Sequence, residues 1–221
     1  MTESSCLGTT RTAYDAVAVE YSALFRTAHE SKPLDRAMLS AFAELVRSTG
    51  SGPVADLGCG PGHVTAYLRS LGLTVSGLDL SPTMIALARA AYPDLRFDEG
   101  SMTALDLKDG ALGGILSWYS VIHTPPELLP TVFAEFRRVL APGGHLLLGF
   151  FAHDEPSHLA EPLPFDHKVT LAYRWSPGHL ADLLRQAGLD VTARLLREPD
   201  EDERFLHSRL LARKPSRSPD V

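Results

Sequence analysis

Val54-Ala55-Asp56-Leu57-Gly58-Cys59-Gly60-Pro61-Gly62 is the stretch that decides the fold. Val54 to Leu57 reads as a short buried strand, because it is a brief apolar run bounded by turn residues. The glycines that follow let the backbone turn sharply and approach a ligand without side-chain collision. A helix through Leu71, closed by Gly72, completes a strand–turn–helix unit whose first amides face whatever the turn cradles. The spacing is G-x-G-x-G, whereas the dinucleotide fingerprint is G-x-G-x-x-G, and His63 is too large for the close helix packing that fingerprint requires. A ligand smaller than an extended pyrophosphate is expected. An ordinary glycine turn is the plain alternative.

Working outward, short apolar runs alternate with helix-like segments. Helices are expected near Tyr14 to Thr27 and from Pro33 to Gly50, where proline opens and glycine closes the second. Further strands are read at Val75 to Leu78, Leu95 to Phe97, Gly114 to Trp118 and His145 to Phe151. Ser81-Pro82, Thr124-Pro125 and Ser176-Pro177 each supply a cap followed by a helix start. Leu129, Val132, Phe133, Phe136 and Leu140 recur at helical spacing and make one buried face. Pro142-Gly143-Gly144 turns the chain, and Leu189 to Leu195 and Phe205 to Arg213 close it as a hairpin. The expected fold class is α/β, a Rossmann-like three-layer sandwich with a mainly parallel seven-stranded sheet and a C-terminal antiparallel hairpin. The organisation follows as a loose tail at 1–10, one domain over 11–213 with an N-terminal helical cap (11–50) and a lid-like insertion (152–175), and a loose tail at 214–221.

The 221 residues, 44% hydrophobic and 22% charged, suit a single packed domain rather than a disordered chain. A net charge of −6 without a basic run argues against a nucleic-acid partner. Cys6 and Cys59 form no C-x-x-C pair, which fits a reducing cytoplasm, and no apolar run is long enough to span a membrane. A monomer or homodimer acting on a small molecule is expected.

In such folds ligands sit beyond the carboxyl ends of the strands. Asp79, 17 residues after Gly62, ends the second strand beside the glycine turn and can accept both hydroxyls of a ribose. Such charged hydrogen bonds contribute about 1.5–3 kcal/mol each. Helix capping with Ser81 is the competing role for Asp79.

At this point the chain resembles the class I S-adenosylmethionine-dependent methyltransferases, in their small-molecule branch, over roughly Ala13 to Lys214. The resemblance rests on residues 54–62, on Gly77-Leu78-Asp79-Leu80-Ser81, and on Phe136-Arg137-Arg138-Val139-Leu140-Ala141-Pro142-Gly143-Gly144. It implies S-adenosyl-L-methionine as cofactor, with Asp56, Gly58, Gly60 and Gly62 near the methionine moiety, Asp79 on the ribose, and Leu80 and Met84 beside it. Ser101 and Met102 belong to the loop around the adenine, where relatives often carry an acidic residue at the Ser101 position. Tyr14 and Tyr21 resemble the N-terminal segment that folds over the cofactor, where a ring near a sulfonium gains about 0.5–2 kcal/mol. Core packing is the other explanation for both tyrosines. Ser117 and Trp118 are assigned to the cofactor edge.

The implied reaction is in-line transfer of the sulfonium methyl to an oxygen or nitrogen of a metabolite. Positioning contributes about 7–11 kcal/mol to such a step, and a general base a factor of about 10² to 10⁴. His123 is the candidate base, with a turn-stabilising histidine as the bland reading. Tyr119, Phe151, Tyr173 and Trp175 are candidate acceptor-binding residues that could equally pack the lid. His153, Asp154, Glu155, His158, Asp166 and His167 match no compact metal spacing, so no metal is expected. A protein that binds the cofactor without methylating, or that uses it for other chemistry, is the serious rival. No tyrosine is followed by a lysine four residues later and no G-x-S-x-G occurs, which removes two other α/β enzyme classes.

Overall fold

The computed structural model describes residues 3–25, 32–153 and 161–216. The chain runs α1 (Glu3–Phe25), α2 (Pro33–Thr49), β1 (Val54–Leu57), α3 (His63–Ser70), β2 (Val75–Asp79), α4 (Pro82–Ala91), β3 (Arg96–Glu99) and β4 (Leu112–Trp118). It continues through α5 (Leu129–Val139), β5 (Leu140–Ala152), β6 (Leu163–Asp166), β7 (Leu171–Arg174), α6 (Pro177–Gln186), β8 (Asp190–Arg197) and β9 (Leu206–Arg213). Seven strands form one sheet in the order β3-β2-β1-β4-β5-β9-β8. The first five are parallel and β9 runs antiparallel between β5 and β8, as the sequence pattern implies. The order reverses between β1 and β4, so the loops after these strands frame a crevice at their carboxyl ends.

Both faces of the sheet are covered, and β5 shows why its sequence is almost continuously apolar. Leu146, Leu148 and Phe150 join the layer of α5 and α6 (Phe133, Phe136, Leu180, Leu184). Leu147 faces the layer of α2 and α3 (Leu39, Phe42, Leu68). A strand buried on both sides cannot alternate apolar with polar. Capping fixes several boundaries. Ser81 Oγ accepts from Met84 N at the start of α4, and Gly50 closes α2 with φ 58°.

Three expectations need correction. Residues 3–10, read as part of a loose tail, lie in α1, whose middle is held by Asp15 accepting from Ser81 Oγ and Thr83 N at the start of α4. Thr124-Pro125 does not open the long helix. Single-turn 3-10 helices at Val121–His123 and Pro126–Leu128 come first, and α5 starts at Leu129. Pro142-Gly143-Gly144 is a bulge within β5 rather than a turn before it, because pairing with β4 shifts from Leu112–Leu140 to Gly114–His145. Part of the lid-like insertion, residues 154–160, lies outside the described residues, as does the 217–221 part of the C-terminal tail. Residues 163–174 form a separate two-stranded antiparallel sheet joined to β5 through an Ala152–Trp175 bridge. Among the described residues no helix is long and apolar enough to cross a membrane.

Candidate active site

A cavity opens at the carboxyl ends of β1, β2 and β4 and is roofed by α1. Its floor is the glycine turn. Gly58 N and Cys59 N donate to Leu78 O at 2.7 and 3.1 Å, clamping the turn to β2. A Cβ on Gly58 would stand 2.2 Å from Ser120 Cβ, so only glycine allows the β1 and β4 loops to approach this closely. At Gly60, with φ 53°, a Cβ would meet nothing within 4 Å, which makes this backbone an open cradle.

Asp79 stands beside that cradle. Its Oδ2 accepts from Gly60 N at 2.8 Å and its Oδ1 from Ser81 N at 2.9 Å. Burial raises its pKa, and the amides of Ser81, Gly60 and Leu80 pull the other way. The pairing orients the carboxylate and leaves each oxygen with further acceptor capacity. An open glycine backbone next to a half-buried, oriented carboxylate gives the room and the acceptor that the ribose of a nucleoside requires, so the residues fit the adenosyl cofactor implied above.

The lining divides the sequence-read residues cleanly. Tyr14, Tyr21, Gly58, Gly60, Asp79, Leu80, Ser101, Met102, Trp118, Tyr119 and His123 all face the cavity. Seven others do not. Asp56 lies under the turn, 1% exposed, accepting from Thr65 Oγ1 at 2.6 Å, with its pKa pushed up to about 7 by burial. Gly62 abuts Phe97 and Ala88, and Met84 is wholly buried in the core. Ser117, also buried, donates to Ser120 Oγ at 2.6 Å, because the Ser120 hydroxyl proton is already given to Leu57 O. These four support the cradle from beneath. Phe151, Tyr173 and Trp175, expected to bind the acceptor, lie outside the lining. Trp175 is fully buried, and Phe151 packs in an aromatic cluster with Tyr119, Phe165 and Phe205.

Several lining residues were missed. Leu7 and Thr10 were hidden by reading residues 1–10 as a tail, and Arg11 stands at the edge of that segment, although Leu7, Tyr14 and Tyr21 recur every two helical turns and so mark one face of α1. Gly100 and Thr103 belong to the loop after β3, which Arg138 steadies by donating to Leu105 O and Leu107 O at 2.9 and 2.7 Å. Their side chains carry no pattern that single-sequence reading recognises.

His123 is tied at both nitrogens. Leu171 O can only accept, so Nδ1 carries the proton and donates to it at 3.0 Å, leaving Nε2 to accept from Tyr14 Oη at 2.7 Å. Burial pushes its pKa down to about 4, which keeps the ring neutral. Both its lone pair and its proton are therefore engaged, joining α1 to β7 across the cavity mouth. This arrangement does not present a base to a substrate.

Tyr119 is the residue of unusual backbone. It holds φ 55°, the only positive φ outside glycine among the described residues, at a cost of about 1–2 kcal/mol. Its side chain meets a buried polar network. Arg209, 1% exposed, donates through Nη2 to Tyr119 Oη and to Asp35 Oδ1, both at 2.7 Å, and its guanidinium stacks 4.3 Å from the Trp118 ring. Tyr119 Oη also hydrogen-bonds His207 Nδ1. Asp166 and His167 sit in or next to β6, whereas Asp154, Glu155 and His158 lie outside the described residues. Among those described, no group of three or more His, Cys, Asp or Glu could hold a metal.

Comparison with known proteins agrees with this geometry. Residues 54–144, from β1 into β5, match a family model described as a methyltransferase domain. The chain is 34% identical over 131 residues to malonyl-[acyl-carrier protein] O-methyltransferase of Pectobacterium atrosepticum, covering 54% of this chain and 51% of that protein. It is 37% identical over 112 residues to trans-aconitate 2-methyltransferase of Rhizobium meliloti, covering 49% and 42% respectively. The chain thus spans about half the length of the curated relatives it matches. Among solved structures, a Burkholderia thailandensis N-methyltransferase with bound 1,6-didemethyltoxoflavin and S-adenosylhomocysteine superposes with TM-score 0.64 at 24% identity over 89% of each chain, a likeness of fold. The glycine turn, Asp79 and the strand reversal all lie inside the matched segment, so residues 54–144 are similar to a methyltransferase domain in sequence and the chain shares its fold with a solved methyltransferase.

Proposed function

We propose that the protein binds S-adenosyl-L-methionine in this cavity and transfers its methyl group to an oxygen or nitrogen of a small metabolite. The observation that carries the reading is Asp79, half-buried in the cavity lining, 2.8 Å from the amide of Gly60 in an open glycine cradle. In this reading Asp79 takes the ribose hydroxyls and the open glycine backbone leaves room for the amino-acid tail. Ser101, Met102 and Thr103 border the adenine, and Tyr14 and Tyr21 place aromatic faces toward the donor end. The bound cofactor supplies an electrophilic methyl on a sulfonium, whose departure as a neutral thioether needs no acid. The protein's part is alignment, and α1 with the β6–β7 hairpin excludes water from the mouth. An acceptor oxygen or nitrogen aligned there would take the methyl, the carbon–sulfur electron pair staying with sulfur, and its proton would leave to solvent. Trans-aconitate, the acceptor named for one of the matched relatives, supports a metabolite over a macromolecule, and the cysteine usage supports a cytoplasmic setting.

Calorimetric titration with S-adenosylhomocysteine and NAD tests the cofactor. Binding of the first and not the second is expected, and the reverse would overturn the assignment. A labelled-methyl screen against carboxylic acids, phenols and amines then tests transfer. Cofactor binding with no transfer to any class would favour a non-methylating role.

A further inference from the structure

We propose that Tyr119 selects and orients the methyl acceptor by accepting a hydrogen bond from its nucleophilic O–H or N–H, with the tyrosine proton held away from the cavity by His207. The inference rests on the functional reading above and adds the acceptor's chemical class.

The arginine contact fixes one hydrogen-bond direction, and the tautomer of His207 fixes the other. A guanidinium only donates, so at the 2.7 Å contact with Arg209 the Tyr119 oxygen is the acceptor. The tyrosine proton goes to its other partner, His207 Nδ1, when that nitrogen is the unprotonated one. That requires the imidazole proton on Nε2, and Nε2 indeed faces the Glu203 carboxylate at 3.4 Å. Arg209 thus donates both to Asp35 and to Tyr119, Tyr119 donates on to His207, and the far nitrogen of His207 lies beside the Glu203 carboxylate. The ionic groups around His207 are Glu203, Arg209, Arg197 and Lys32, and its burial keeps the ring neutral so that it can accept.

Tyr119 lines the cavity, and with its proton committed its oxygen has acceptor capacity alone to offer a ligand there. It recognises a donor and has nothing to give to an ether. A hydroxyl acceptor satisfies it before transfer, and the methylated product no longer does, so the contact favours exchange of product for fresh substrate. His123 cannot duplicate this role, since both its nitrogens are engaged. The walls at this end are the rings of Tyr14, Tyr21, Trp118 and Tyr119, which match a flat, largely apolar molecule. The left-handed backbone at residue 119, fixed by its amide donating to Gly149 O at 2.7 Å, is what turns this side chain into the network rather than along the strand direction. The acceptor class is thus a planar aromatic compound carrying a hydroxyl or N–H group.

The test uses the full chain saturated with S-adenosylhomocysteine, titrated near neutral pH by fluorescence with a naphthol and with its methyl ether. The unaltered protein is expected to bind the naphthol at least about tenfold more tightly, the weight of one hydrogen bond to a buried partner, and Tyr119→Phe to reduce the ratio to about twofold or less. Equal binding of the two probes to the unaltered protein, including binding of neither, overturns the proposal, as does an undiminished ratio in Tyr119→Phe. Should that variant not fold, ¹⁵N-histidine NMR of the unaltered protein decides instead. A neutral His207 protonated on Nε2 is expected, and a proton on Nδ1 overturns the proposal. Loss of S-adenosylhomocysteine binding by the unaltered protein would signal failure of the cofactor reading, whereas retained binding without the naphthol preference signals failure of this one.

Discussion

The two ends of the cavity are built by different means. At the cofactor end the polar contacts come mainly from backbone amides, and the partners are close in sequence: Gly60 and Asp79 are 19 residues apart. At the acceptor end the contacts are between side chains drawn from distant segments, with 90 residues between Tyr119 and Arg209, 109 between Tyr14 and His123, and 174 between Asp35 and Arg209. A ligand read by backbone tolerates change in surrounding side chains. A ligand read by a buried side-chain network can be exchanged by altering a few of its members, so one fold can keep its donor while changing its acceptor.

The comparison is broken most strongly at the acceptor end. Asp35→Ala leaves Arg209 charged and buried without its carboxylate, and a loss of about 3–5 kcal/mol in denaturant unfolding is expected. A loss under about 1 kcal/mol would mean that Tyr119 and the Trp118 ring alone sustain the cation. Next is the cofactor end, where Gly58→Ala forces a methyl against Ser120 in a left-handed backbone. Overpacking of this kind costs about 1–3 kcal/mol, with a matching drop in S-adenosylhomocysteine affinity by calorimetry. Asp79→Ala should then weaken that affinity at least about tenfold while leaving the naphthol preference of the remaining complex in place. Unchanged affinity would remove the ribose assignment.

Stability against pH sharpens the contrast, because the two ends carry shifts of opposite consequence. Asp56, raised from 3.8 to about 7 by burial and by the nearby Asp79, favours the folded state fully below pH 3.8 and loses that contribution as pH rises toward 7. His207, lowered from 6.5 to about 4, chiefly by burial, costs nothing above pH 6.5 and withdraws stability as pH falls from 6.5 through 4. Asp56→Asn is expected to flatten the first slope and His207→Gln the second, in melting temperature measured across pH 3.5 to 8. A variant that flattens the other's slope would show that the ends are coupled rather than separate.

How much could be read beforehand follows the same division. The glycine turn, Asp79 and the caps at Ser81 and Ser176 were legible because each is a local requirement on a few neighbouring residues. Trp175 was misjudged for a related reason. An aromatic residue beside a polar segment suggests a pocket wall, and only the Ala152–Trp175 bridge to β5 reveals that the ring is buried in the core. Asp56, Met84 and Ser117 were placed in the right neighbourhood at the wrong depth. Sequence position fixes where along a strand or helix a side chain leaves the backbone, and burial depends on what later packs over it.

The amino-acid sequence by itself determined the parallel α/β order, the sharp bend after β1 and the carboxylate at the end of β2, since hydrophobic period, glycine spacing and strand-end position are properties of contiguous residues. Tertiary structure alone decided that α1 reaches back to Glu3 and roofs the cavity, that His123 is bound at both nitrogens, and that Tyr119 meets Arg209 and His207. Those outcomes depend on the burial of charged and polar groups that are far apart in the chain, whose partners exist only once the sheet has brought them together.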